Sequence, residues 1–169
     1  PGKLWSSVKC FSTILAPILR YKKLYHGKII KFNNPIRKSQ LYKNKSEIKR
    51  KLNININKKV LLILGGTNGI KSLNKLILNN LDKILNDNIF LIWQIGIYHN
   101  LNIKREDVLI YKFIDNIYEI YSITDYVITA AGINTINELN SLNIPFSLYP
   151  LINSAYDHQY QNAFYYNNF

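Results

Sequence analysis

Chemistry in this chain concentrates in three short loops. The first is the segment Ile128–Pro145, ITAAGINTINELNSLNIP, in which an apolar, strand-like run passes through Gly132 into a helical pattern that stops at a proline. Thr135 and Glu138 lie three residues apart on that helix, about 60° apart around its axis and beside the apolar stripe of Ile133, Ile136 and Leu139. The first turn of a helix exposes unpaired N–H groups that attract phosphate, and a hydroxyl there can join them. A carboxylate one turn later can accept two hydrogen bonds from ribose hydroxyls. The same spacing also suits a capping-type pair or two solvated side chains, so spacing leaves both readings open.

The second loop is Gly65-Gly66-Thr67-Asn68-Gly69, whose glycines let the backbone approach a ligand and whose Thr67 offers a hydroxyl. It is neither GxGxxG nor GxxxxGK[ST], and a plain strand–helix turn is the alternative. The third is NSAYDHQYQNA, Asn153–Ala163. Asp157 suits an N-cap there, and His158 and Gln159 supply donors and acceptors in the first helical turn. His158 has no second His or Cys at metal-ligand spacing, and the absence of a GxSxG elbow leaves a hydrolytic triad unsupported, so no metal or cofactor is expected.

These loops need a frame, and the sequence supplies one from residue 59 onward. VLLIL (Val60–Leu64) is a continuous apolar run, the pattern of a strand covered on both faces. Leu73, Leu76, Ile77, Leu81, Ile84 and Leu85 then recur at helical spacing. IFLIWQI (Ile89–Ile95), VLIYKFI (Val108–Ile114), DYVITA (Asp125–Ala130) and PFSLYP (Pro145–Pro150) read as four more strands. Helices are expected at about Ile117–Ser122, in the segment after Gly132, and over Asp157–Tyr166. Strands alternating with helices of this length predict right-handed βαβ units and a Rossmann-like, doubly wound parallel α/β sheet. Ligands of such sheets bind at the carboxyl ends of the strands, near the crossover point, where all three loops fall.

The first 59 residues are different. Leu4–Tyr25 fits helix or strand plus loop, Lys28–Phe32 reads as a short strand before the Asn33-Asn34-Pro35 turn, and Gln40–Lys59 is a polar, Lys- and Asn-rich stretch expected to be a linker or an exposed helix. The chain of 169 residues carries a net charge of +12, and this is unevenly placed: residues 1–59 hold 16 Lys+Arg against the single Glu47, whereas residues 60–169 hold 6 Lys+Arg against 9 Asp+Glu. A basic half invites nucleic acid or an anionic membrane surface, but the basic residues follow no helical stripe, and an AT-rich codon bias toward Lys, Asn, Ile and Tyr is the plainer source. One cysteine, Cys10, permits no intrachain disulfide. No apolar run reaches 18 residues, so no segment is expected to span a bilayer. The start at Pro1 and the lack of any Met suggest a piece of a longer reading frame.

Five pieces in order carry a family resemblance: NPIR (Asn34–Arg37), LGGTNGIKSLN (Leu64–Asn74), FID (Phe113–Asp115), AGINTINEL (Ala131–Leu139) and DHQYQNA (Asp157–Ala163). Over about residues 28–169 the chain resembles the MurG family of glycosyltransferase family 28, whose members read NPVR, GGSQGA-x-x-LN, FID-x-M, G-x-x-T-x-x-E and DHQ-x-x-NA. The resemblance implies two Rossmann-like domains facing across a cleft (the GT-B arrangement), with UDP-N-acetylglucosamine held by the C-terminal one. Residues 1–37 would end the N-terminal, acceptor-binding domain, 38–58 would link, and 59–169 would be the donor domain, short of its last helices. By motif, Arg37, Gly66 and Thr67 would contact the donor, and Ile114 would meet the uracil through its backbone. Gly132 and Thr135 would meet the diphosphate, Glu138 the ribose, and His158 and Gln159 the diphosphate and sugar.

The implied reaction is inverting transfer of N-acetylglucosamine to a lipid-linked muramoyl-pentapeptide in peptidoglycan synthesis, the step from lipid I to lipid II. It would run at the cytoplasmic face of the bacterial inner membrane, with peripheral contact to anionic lipid. The general base is expected in the N-terminal domain, outside this chain. Ala130 stands where many members keep a cation. Two other functions compete: a non-catalytic nucleotide-sugar-binding subunit working with a partner, and a basic nucleic-acid-binding protein using residues 1–59.

Overall fold

The computed structural model describes residues 13–16, 28–31, 44–85, 88–151 and 158–167. The chain divides into two compact units, residues 1–36 and 37–169. In the first, β1 (Thr13–Ala16) and β2 (Lys28–Lys31) pair in parallel, with Thr13 opposite Lys28.

The second unit is built on five parallel strands: β3 (Lys59–Leu64), β4 (Ile89–Gln94), β5 (Val108–Tyr111), β6 (Tyr126–Ala130) and β7 (Phe146–Tyr149), in the spatial order β5-β4-β3-β6-β7. The order runs outward from β3 to β5, then returns to β3 and runs the other way through β6 and β7. The expected doubly wound sheet is therefore present, with its switch point between β3 and β6.

Alternate residues of the central strands feed two cores. Val60, Leu62, Leu64, Phe90, Ile92 and Val127 pack with Ile120, Tyr121 and Leu139 on one face, contributed by α4 (Ile117–Tyr121) and α5 (Ile133–Ser141). Ile63, Leu91 and Trp93 pack on the other with Leu73 and Ile77 of α2 (Lys71–Asn79) and Leu81 of α3 (Leu81–Ile84). Burial on both faces is why these strands read as unbroken apolar runs. The last helix, α6 (His158–Asn167), follows β7.

Three elements differ in part from the sequence expectation. The stretch Gln40–Lys59, read as a linker or an exposed helix, does hold a mostly exposed helix among its described residues, α1 (Lys45–Lys51), capped by the Asn44 side chain accepting from the Glu47 N–H. Ile48 and Ile54 of this stretch are buried in the first core, so it is packed rather than merely connecting. Lys49 Nζ donates to the Ile56 and Lys58 carbonyls, and Lys51 and Lys59 pair with Glu119 and Asp125. Part of the basic half is thus engaged in holding this segment to its own domain. The helix expected across Leu73–Leu85 breaks at Asn80, which ends α2 and precedes α3, its Nδ2 donating to the Leu76 carbonyl. β5 stops at Tyr111 rather than Ile114, because the Ile114 N–H turns to a side-chain acceptor on the neighbouring strand.

Candidate functional site

At the carboxyl ends of β3 and β6 lies a cleft of about 610 Å³. Gly66, Thr67, Ile114, Gly132, Thr135, Glu138 and Gln159 all line it, so the fold brings together residues from four separate loops and helices. Arg37 and Asp157 lie outside the described residues; His158 opens α6, but its side chain lies outside them too.

The glycine loop is shaped by its own backbone. Gly66 and Gly69 both take positive φ, +78° and +76°, and the Gly69 N–H returns to the Gly66 carbonyl at 3.3 Å. It is also locked to the loop after β4: Ile97 N–H donates to the Thr67 carbonyl at 3.0 Å, and Gly96 (φ +95°) sits against Gly69 so closely that a Cβ on it would fall 2.2 Å from the Gly69 nitrogen. These two glycines are required by packing. Gly66 is not: a Cβ there would have nothing within 4 Å.

Gly132 is the N-cap of α5 with ordinary dihedrals (φ −77°, ψ 127°), no side chain caps the helix, and a Cβ on Gly132 would meet nothing. Folding therefore places no demand for glycine here. Thr135 and Glu138 do not form a capping pair, since the cap is Gly132; both are half-buried and line the cleft. Glu138 accepts from the Tyr118 and Tyr121 hydroxyls at 3.5 and 3.4 Å, long for such bonds, so the carboxylate keeps acceptor capacity toward the cleft. Burial first, and then the Glu138 carboxylate, push the Tyr121 phenol far above its ordinary range, which keeps it a donor.

Two residues that sequence reasoning passed over hold this geometry. Gln94, at the end of β4, is buried; its Nε2 donates to the Gly66 carbonyl at 3.1 Å and its Oε1 accepts the Ile114 N–H at 3.0 Å. Asn162 of α6, also buried, donates to the Ala131 carbonyl just before Gly132, at 2.9 Å. Gln159 accepts the Leu151 N–H at 2.9 Å, and Tyr166 donates to Asn137 of α5 at 3.0 Å, so α6 is fastened beside the start of α5. The available signal was a lone amide closing an apolar strand (IFLIWQ) and the Asn of DHQYQNA. Neither names its partner without the fold. Among the described residues, no group of three or more His, Cys, Asp or Glu comes together.

Residues 60–168 match a family model described as the glycosyltransferase family 28 C-terminal domain. The chain belongs to glycosyltransferase family 28. Its similarity extends to curated relatives named UDP-N-acetylglucosamine--N-acetylmuramyl-(pentapeptide) pyrophosphoryl-undecaprenol N-acetylglucosamine transferase. That of Flavobacterium psychrophilum is 34% identical over 142 residues, 80% of this chain and 39% of the relative. That of Finegoldia magna is 32% identical over 164 residues, 92% of this chain and 44% of the relative. The chain thus spans about two fifths of the length of these relatives. Among solved structures, a crystal structure of Acinetobacter baumannii MurG superposes with a TM-score of 0.60 at 20% identity, covering 93% of this chain and 49% of that one. The glycotransferase of kitacinnamycin gives 0.56 at 14% identity, over 81% of this chain and 34% of that one. Both likenesses concern the fold, and with the family 28 match they account for the Rossmann-like sheet expected from the motifs.

Proposed function

We propose that this chain is the UDP-N-acetylglucosamine-binding part of a glycosyltransferase that passes N-acetylglucosamine to a lipid-linked muramoyl-pentapeptide. The observation that carries the proposal is the convergence, in one cleft at the switch point of a family 28 domain, of a helix start at Gly132 that no side chain caps, the Thr135 hydroxyl and the Glu138 carboxylate. The nine-residue helix α5, which no side chain caps, directs its positive N-terminal end at the cleft, where it neutralises a diphosphate. Glu138, one turn further, accepts the ribose hydroxyls. Ile114 has its N–H committed to Gln94, which leaves its carbonyl for the uracil imide N–H. Thr67 and Gln159 border the sugar end, and Arg37 and His158 complete the donor contacts.

In the reaction, an acceptor hydroxyl attacks the anomeric carbon, the bond from that carbon to the diphosphate oxygen breaks, and UDP leaves with inversion. The role of this domain is to hold the donor and stabilise the negative charge that grows on the leaving diphosphate, through helix N–H groups placed in advance. The general base and the acceptor site belong to the N-terminal domain of the whole enzyme, which works peripherally at the cytoplasmic face of the inner membrane. Among the described residues no helix is long and apolar enough to cross a membrane. A nucleic-acid-binding role for residues 1–59 gains nothing from the two relatives named above, which carry the transferase name.

Thermal denaturation with a nucleotide panel tests the reading. UDP and UDP-N-acetylglucosamine are expected to raise the melting temperature in a concentration-dependent way, with ADP and CMP much weaker. Equal shifts with every nucleotide would reduce the site to a general anion trap. Gly132→Ala separates ligand from fold within the same assay. Because its Cβ meets nothing and its φ is ordinary, the melting temperature without ligand stays unchanged, whereas UDP affinity falls about tenfold as the methyl blocks approach to the helix start. A variant that binds UDP as wild type does would remove the diphosphate from Gly132.

A further inference from the structure

From its two side-chain bonds, we infer that Gln94 is a positioning residue that sets the distance between the two ends of the nucleotide site; this rests on the UDP-binding reading above. β3 and β5 are not neighbours, because β4 lies between them. The loops that follow them, carrying Gly66 and Ile114, therefore stand two strand spacings apart, about 10 Å. In the regular sheet Leu64 and Tyr111 flank Gln94 on either side, and they are the last residues of β3 and β5 in register with it. Gln94 fills that gap: one end of its amide donates to the Gly66 carbonyl and the other accepts the Ile114 N–H.

The orientation of this amide is determined. Turned over, it would set its NH₂ against the Ile114 N–H and its oxygen against the Gly66 carbonyl. Both groups would then face like partners inside a site where the Gln94 residue is only 6% exposed. A single side chain thus ties the loop proposed for the base to the loop proposed for the phosphate and sugar end. Asn74 provides a contrast in the same domain. It is equally buried, donates to the Ile95 carbonyl and accepts from Trp93 Nε1, but it joins α2 to β4 and does not line the cleft.

A clamp that sets spacing has a signature that general stabilisation lacks. A ligand that touches both loops depends on the distance between them, whereas a fragment touching one loop does not. Affinities of UDP, uridine and inorganic pyrophosphate are measured by ligand-observed NMR and calorimetry on the whole chain, for wild type, Gln94→Leu, Gln94→Glu and Asn74→Leu. In the Gln94 variants UDP is expected to weaken about tenfold while each fragment changes less than about threefold, because the lost advantage is preorganisation. Gln94→Glu, when ionised at alkaline pH, keeps the acceptor for Ile114 but cannot donate to Gly66, so measured there it carries the test should the leucine variant fold poorly. Asn74→Leu lowers the melting temperature and leaves the ratio of UDP to fragment affinity unchanged. Wild-type UDP affinity in either folded Gln94 variant, or a parallel loss of all three ligands, would overturn the clamp while leaving the UDP site standing. A wild-type chain that binds no UDP would overturn the nucleotide reading, and the clamp with it.

Discussion

Glu138→Ala is expected to weaken UDP binding roughly 30- to 100-fold while costing the fold only about 1 kcal/mol. The first figure corresponds to about 2–3 kcal/mol, a conservative loss for a carboxylate facing the ribose hydroxyls, since even one hydrogen bond to a charged group contributes about 1.5–3 kcal/mol and each 1.4 kcal/mol is tenfold. The second follows from the neighbours. Glu138 is half-buried, and its carboxylate accepts from the hydroxyls of Tyr118 and Tyr121 at 3.5 and 3.4 Å. Bonds that long are weak, so losing them costs little even though Tyr121 is buried. Glu138→Gln refines the result: it retains one acceptor oxygen for the tyrosines, so stability stays at wild type, yet it replaces the second acceptor with a donor and still loses most of the UDP affinity. Calorimetry beside urea denaturation reads both effects. Equal losses of folding and binding in Glu138→Ala would make the residue a structural partner of the tyrosines and nothing more.

Gly96→Ala should produce the opposite pattern, a loss of stability of about 2–5 kcal/mol that takes ligand binding down with it. The residue has φ of +95°, and its Cβ would lie 2.2 Å from the Gly69 nitrogen and 2.4 Å from the Gly69 Cα. Left-handed backbone costs an alanine about 1–2 kcal/mol, and overpacking adds about 1–3 more. The obstructing atoms are backbone, so no rotamer change relieves the clash. Gly69→Ala fails for the reciprocal reason, its Cβ falling 2.0 Å from the Ile95 carbonyl oxygen. Gly66→Ala, with a positive φ but open space, is expected to cost only about 1–2 kcal/mol. Urea denaturation of the three variants should therefore rank Gly66→Ala well above the other two. A Gly96→Ala protein as stable as wild type would mean that the loops after β3 and β4 do not touch as described.

The contrast among these glycines shows what sequence can and cannot carry. GGTNG reads as a flexible approach to ligand, yet two of its positions behave differently: Gly69 answers to the packing of a loop thirty residues away, and Gly66 answers only to its own dihedral angle. The central strands β3 and β4 were legible because burial on both faces writes itself as an uninterrupted apolar run, whereas the edge strands β5 and β7 are only partly buried. The alternation of strand and helix then dictated the placement of every strand-end loop on one side. The burial of α1 was not legible, since Ile48 and Ile54 sit in a run of Lys and Asn whose local composition says linker while the open side of the first core takes them in. β5 was overestimated for a reason that local pattern does not contain: Gln94 on the next strand removes the Ile114 N–H from the ladder. The same holds for the site. Thr135 and Glu138 could be singled out from type and spacing, whereas Gln94 and Asn162 act through carbonyls and N–H groups that any residue possesses, so their partners emerge only in the folded chain.

The central claim is that the cleft between the glycine loop and α5 is built for UDP. Titration calorimetry of UDP into the folded chain tests it most directly, with Glu138→Ala as the paired sample. The account predicts saturable one-to-one binding to the wild type and a roughly 30- to 100-fold weaker response in the variant, at least the loss of one charge-assisted hydrogen bond. A folded wild-type chain that gives no saturable heat and no thermal shift at millimolar UDP, or a Glu138→Ala chain that binds UDP as tightly as wild type, would contradict it.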